Sequence, residues 1–225
     1  MRWLLVLGTT LLAQACVNHT ELAMQSVEST VLHSNKISYR ELESFPGNVV
    51  CGEFSTRRRP KGDSYLPFIY RSEKVDVHPS REDISIFCSA DPAKSLHGVY
   101  GINFLGKDKA TLLAIREDYV RLGTALEQYE VDNFMLPRSE QGLDALLHAS
   151  KSTPVPRRFR EGGYLSALPL DPWNIPYSYS ASAMAGVKGS YQLLTLGADA
   201  REGGIDENAD VSSQHMKYIN HIEDL

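Results

Sequence analysis

The amino-acid sequence predicts an α+β fold: a long amphipathic helix packed on a small antiparallel sheet, preceded by a small disulfide-linked α+β module. Three observations carry this. Leu112, Ile115, Tyr119, Leu122, Leu126 and Tyr129 recur three and four apart, which lays one apolar stripe along a single long helix. The runs Val49–Phe54, Leu66–Tyr70, Tyr177–Ser180 and Ser190–Leu196 are rich in β-branched and aromatic residues and lie beside loops containing Pro or Gly, as strands of antiparallel sheets do. Cys51 and Cys88 form an even pair once Cys16 is set aside.

The elements follow in chain order. Residues 1–15 carry one early Arg2, an apolar run from Trp3 to Leu12 and the small-residue end L-A-Q-A, which reads as an export signal. The run is too short to span a bilayer as a permanent helix. Cys16 directly after Ala15 points to lipidation of Cys16, although Ala13 stands where a lipoprotein signal more often has Leu; ordinary cleavage near Ala15 is the alternative. In an oxidising compartment Cys51 and Cys88 are expected to pair, closing a loop worth roughly 4 kcal/mol in the chain-entropy model. A metal or redox role is disfavoured, because there is no C-x-x-C and neither Cys has a His within a few residues.

Residues 16–38 are polar, with Met24, Val27 and Val31 at helical spacing, and read as a tether able to form a short helix. Residues 39–105 read as a small module: the first two strands, a helix start at Ser80 three residues before Asp83, a stretch Ile84–Ser89 that suits helix or strand, and a short helix opened by Asp91-Pro92. Residues 106–211 begin with the long helix, for which Asp108 is the expected cap. Asp132-Asn133 ends it, and a second short helix is expected over Leu143–Ala149. The turn Asp171–Tyr177 holds Trp173 as a core anchor or, alternatively, a ligand platform. Residues 212–225 read as a polar tail, with His215 and His221 six apart and solvated.

Several function classes drop out. Acidic residues outnumber basic ones, 28 to 23, so no broad basic surface invites nucleic acid. The run Arg57-Arg58-Arg59-Pro60-Lys61 has Pro and Gly beside it and no interleaved aromatics, which suits a solvated loop. The seven His are scattered, and no G-x-S-x-G, H-E-x-x-H, phosphate-binding Gly loop or GxGxxG occurs. The expectation is a protein that is not an enzyme.

The most distinctive stretch is Leu196–Val211, L-G-A-D-A-R-E-G-G-I-D-E-N-A-D-V. Asp199, Glu202, Asp206, Glu207 and Asp210 fall within twelve positions together with Asn208, a Gly-Gly pair and one Arg. Such mutually repelling carboxylates form either a solvated acidic loop or a loop closed around a hard cation. Calcium suits the second reading, since it takes six to eight oxygens, whereas zinc wants His or Cys. The spacing is not that of an EF-hand.

Taken together, Asp132–Leu146 (D-N-F-M-L-P-R-S-E-Q-G-L-D-A-L), Gly162–Tyr177 (G-G-Y-L-S-A-L-P-L-D-P-W-N-I-P-Y) and Tyr191–Asp199 (Y-Q-L-L-T-L-G-A-D) resemble, in order and separation, the periplasmic domain of the major pseudopilin of the type II secretion system. The resemblance covers roughly Ala114 to Val211. It implies a helix packed on a small sheet and a structural calcium in the acidic loop. By position, Asp199 and Asp210 match the family's aspartates, Leu196 sits where the family uses a backbone carbonyl, and Asn208 stands where many members have Asp. Asn174-Ile175 replaces a common Gly-Asn. The family's short basic leader, processing site and long apolar N-terminal helix are not found, so the chain is not expected to polymerise in the usual way. The N-terminal half, through F-P-G-N-V-V-C-G-E, P-F-I-Y and F-C-S-A-D-P, resembles a small exported bacterial domain of unassigned function. The expected partners are other pseudopilins or secretion-system proteins, and the membrane through a lipid anchor on Cys16. The expected location is the periplasm. The alternative is a binding module on the same scaffold whose partner is unrelated to secretion.

Overall fold

The computed structural model describes residues 18–31, 37–56, 65–182 and 189–225. The expected signal segment, Cys16 and the basic run at 57–61 lie outside the described residues. The chain divides into two compact units, Met1–Ser44 with Asn48–Pro79, and Phe45–Gly47 with Ser80–Leu225.

The first unit pairs one helix with one sheet. Helix α1 (His19–Thr30) starts at Asn18, whose side chain accepts the N–H of Glu21 (3.3 Å). The sheet runs in the order β1 (Ser38–Phe45), β2 (Val49–Ser55), β3 (Leu66–Arg71), β4 (Lys74–Asp76). Strands β2 and β3 are antiparallel with Val50 opposite Tyr70 and Phe54 opposite Leu66. Alternate residues of these strands, Val50, Phe54, Phe68 and Tyr70, form one buried cluster with Ala23 and Val27 of α1. Residues 19–30 are therefore a packed helix rather than a tether. Ala23 and Val27, one turn apart and both fully buried, supply the contact stripe, and the sheet supplies the partner.

The second unit holds α2 (Arg81–Phe87), α3 (Pro92–Tyr100), α4 (Gly106–Asn133), a three-stranded sheet β5 (Ser178–Ser182), β6 (Ser190–Thr195), β7 (Val211–Ser212), and α5 (Met216–Glu223). All six residues of the predicted stripe on α4 are buried. The helix begins two residues before Asp108, which lies in the first turn and accepts from Asn103 Nδ2 (2.9 Å) instead of capping. Tyr119 and Tyr177 pack edge to face, 5.2 Å apart, and Tyr177 donates to Asp118 Oδ2 (2.9 Å), which holds α4 against the start of β5.

Three expectations are corrected in this unit. Leu143–Ala149 is only a 3₁₀ turn, Leu143–Leu146, because the N–H of Tyr164 takes the Leu146 carbonyl (2.8 Å) that a further helical turn would use. The compact unit that holds α4 also takes in α2 and α3, which pack with α5: the Phe87 and Tyr218 rings are 5.2 Å apart, and those of Tyr100 and Tyr218 5.9 Å. Residues 212–225 are no polar tail. Tyr218, Ile219 and Ile222 form a buried stripe on α5, and Ser212 and His215 close a capping box ahead of it. His215 and His221 are not solvated: their rings pack on Tyr100 (4.2 Å between centroids) and Phe87 (5.2 Å), respectively.

Cys51 in β2 and Cys88 at the end of α2 are both disulfide-bonded, the state expected of the pair. Among the described residues no helix is long and apolar enough to cross a membrane.

Candidate cation site in the acidic loop

The acidic loop leaves the sheet after Thr195 and returns at Val211, and these two residues face each other across the β6–β7 pair. Its base is therefore fixed by sheet hydrogen bonds. Beneath it, Thr195 Oγ1 donates to buried Asp171 Oδ2 (2.6 Å) and accepts from Gly197 N–H (3.3 Å). Asp171 Oδ1 takes the N–H groups of Trp173 (3.0 Å) and Ile175 (2.8 Å). The fixed point of that turn is thus Asp171, while Trp173 is only partly buried. Asn174 adopts the left-handed backbone expected of it, φ +65°. On the other side Tyr119 donates to the Val211 carbonyl (2.6 Å), and burial drives this phenol's pKa well above the ordinary range.

Within the loop the two walls touch through backbone. Ala198 N–H donates to the Glu207 carbonyl (2.8 Å), and a 3₁₀ turn spans Asp206–Asn208. Gly197 and Gly204 press on Asn208 from φ +68° and +94°: a Cβ on Gly197 would lie 2.6 Å from the Asn208 carbonyl carbon, and one on Gly204 would lie 2.3 Å from its oxygen. Only hydrogen fits at either place.

The five carboxylates take different partners. Asp199 Oδ1 accepts from Arg201 N–H (3.1 Å), and Asp210 Oδ2 from Gly203 N–H (2.9 Å). Asp206 lies 3.2 Å from His97 Nε2, and Glu207 3.2 Å from Lys107 Nζ. Glu202 is exposed. The remaining oxygen of Asp210, Oδ1, is buried and has no hydrogen-bond partner. A buried carboxylate oxygen without a donor is costly, and a cation removes that cost. Asp210 also lines a cavity of about 700 Å³ between the C-terminal half of α3, β6 and Gly203–Ile205, which gives an ion a path from solvent.

Among the described residues no three His, Cys, Asp or Glu side chains converge on a metal-sized point. A cation here would have to rely on carbonyl and amide oxygens, Leu196 and Asn208, beside Asp199 and Asp210. That all-oxygen donor set with few carboxylates suits calcium and not zinc.

Comparison with known proteins bears on the same half of the chain. The family model described as type II secretion system (T2SS), protein G, matches residues 103–214. The type II secretion system core protein G of Pseudomonas aeruginosa is 41% identical over 106 residues, 47% of this chain and 72% of that protein. The chain belongs to the type II secretion system protein G family. The core protein G of Vibrio cholerae is likewise 41% identical, over 51% of this chain and 77% of its own length. The solved major pseudopilin of the type 2 secretion system of enterohaemorrhagic Escherichia coli is 32% identical, with a TM-score of 0.41 over 48% of this chain and 89% of that chain. The protein G domain thus comprises α4, the second sheet and the acidic loop. Helices α2, α3 and α5 and the whole first unit lie outside the match.

Two groups at this site escape the sequence reading. Asp171 precedes Pro172 in a turn, and the Asx-turn habit of Asp was the available signal. His97 and Gly101, which reach Asp206 from α3, left no signal, since more than 100 residues separate them from it.

Proposed function

We propose that this protein is a non-enzymatic, calcium-binding component or accessory of the type II secretion system, exported to the periplasm and held at the membrane by a lipid on Cys16. Membership of the protein G family supports the secretion role. The calcium reading is carried by the orphaned, buried Asp210 Oδ1 in a loop whose glycines leave no room for a side chain. Leu196 would offer its carbonyl, Asn208 its amide oxygen, and Asp199 and Asp210 their carboxylates. Bound calcium supplies positive charge that offsets the repulsion among the loop's acids. The chain's own contribution is the frame: Tyr119, Thr195 and Asp171 hold the base of the loop still, and the loop then presents a fixed surface to a neighbouring protein.

The experiment is a calcium titration of the purified mature protein followed by thermal melting, with Asp199→Ala and Asp210→Asn alongside. Calcium is expected to raise the melting temperature of the wild type, as a ligand specific to the native state must, and to leave both variants unmoved. An unchanged wild type means a solvated acidic loop and ends the calcium reading.

A second reading is favoured by one observation: about half of the chain, including a complete compact unit, lies outside the family match. In this reading the protein G scaffold serves a periplasmic partner unrelated to secretion. Normal secretion in cells lacking the protein supports it; impaired secretion supports the first reading.

A further inference from the structure

Helix α3 precedes the segment matched to the protein G family, yet it is fastened to the acidic loop at three points. The Gly101 carbonyl accepts the N–H of Asp206 (2.8 Å). His97 Nε2, in the tautomer that carries its proton there, donates to Asp206 Oδ1 (3.2 Å). At Gly101 the backbones come so close that a Cβ would lie 2.6 Å from the Gly204 carbonyl oxygen and 3.1 Å from Ile205 Cα. Backbone meets backbone, so neither side can move aside as a flexible side chain could.

The fastened residue is one of two non-glycine residues of the loop held at positive φ, the other being Ala200 at +53°. Asp206 opens the 3₁₀ turn at φ +55°, a conformation that disfavours any residue with a side chain. Ala209 N–H then donates to the Asp206 carbonyl (3.2 Å), so the turn that delivers Asn208 and Asp210 starts from this point. The carboxylate of Asp206 is meanwhile engaged by His97, which separates it from the group of Asp199 and Asp210.

We propose that α3, through Gly101 and His97, is a positioning strap that sets the acidic loop in its cation-ready turn before any cation arrives. The strap replaces part of the ordering that calcium would otherwise have to impose on a loop rich in glycine and like charges. Its significance for calcium rests on the reading above; the fastening of the loop does not.

The test uses the full mature chain and reads amide hydrogen exchange at Asp206 without calcium, and calcium affinity by calorimetry. In calcium-free wild type the Asp206 amide is expected to be protected. Gly101→Ala is expected to lower that protection, and to weaken calcium binding, by about tenfold, the worth of one backbone hydrogen bond. His97→Ala leaves the helix end intact and is expected to lower both about threefold, as for one exposed side-chain hydrogen bond. Protection of Leu122 and Leu126 in α4 should stay unchanged, and it reports whether Gly101→Ala is folded; if it is not, His97→Ala decides. An unprotected Asp206 amide in calcium-free wild type, or protection that neither variant lowers, overturns the strap. Protection that falls as expected in a protein that takes up no calcium upholds the strap and ends the calcium reading alone.

Discussion

Tyr218 donates its hydroxyl hydrogen to Asp83 Oδ1 at 2.9 Å, joining two residues 135 positions apart and tying α5 to α2. The same carboxylate accepts from Lys217 Nζ (2.5 Å) and from Ser80 Oγ (3.0 Å), and Asp83 is 8% exposed. Burial by itself raises the pKa of this carboxyl group. The hydrogen bonds from Lys217, Tyr218 and Ser80 outweigh it, and the net direction is down.

A carboxylate held below its ordinary value stabilises the fold fully at pH values above that range, and the contribution is lost as pH falls through and below it. Tyr218→Phe removes one donor from a buried charged acceptor and is expected to cost about 1–3 kcal/mol at neutral pH. Urea unfolding measures it. The difference between wild type and variant should shrink as pH falls below the ordinary carboxylate range, toward the lowered value at which Asp83 takes up its proton.

His215 loses stability in the same pH direction, for a different reason. Its ring packs on Tyr100 (4.2 Å between centroids), and its Nδ1 accepts the Ser212 N–H (3.2 Å), which requires an unprotonated nitrogen. Burial, with a smaller push from Lys217, moves its pKa down to about 4. The stability that depends on neutral His215 is therefore present above the unfolded value near 6.5 and drains as pH falls from there toward about 4, by roughly 3 kcal/mol in all. An NMR titration of the ring should show a midpoint near 4. A midpoint at the ordinary histidine value contradicts the packing described.

Two glycine substitutions should differ in sign. Gly204→Ala places a Cβ 2.3 Å from the Asn208 carbonyl oxygen at a positive φ, and is expected to destabilise by about 2 kcal/mol or more and to loosen the acidic loop. Gly98 is exposed inside α3, and a Cβ there meets nothing within 4 Å. Gly98→Ala is expected to stabilise by about 0.5–1 kcal/mol through helix propensity. Thermal melting of the two variants beside the wild type decides both.

The sequence by itself determined the elements whose residues answer to one another locally. The stripe from Leu112 to Tyr129, the β2–β3 and β5–β6 strands, the caps at Ser80 and Asp91 and the left-handed Asn174 all follow from periodicity, propensity and turn chemistry. It also marked the acidic loop, because five carboxylates in twelve positions need no neighbour to be noticed. Tertiary structure decided the rest. Residues 19–30 and 216–223 are polar enough to pass for tether and tail. They are helices because a sheet and a pair of helices, respectively, bury Val27 and Tyr218, and an amphipathic segment of that length gains most of its stability from such packing. Likewise, Asp206 received its partners His97 and Gly101 only through the fold. Hydrogen bonds between residues a hundred positions apart leave no periodic trace in the sequence, since what brings them together is the burial of other side chains.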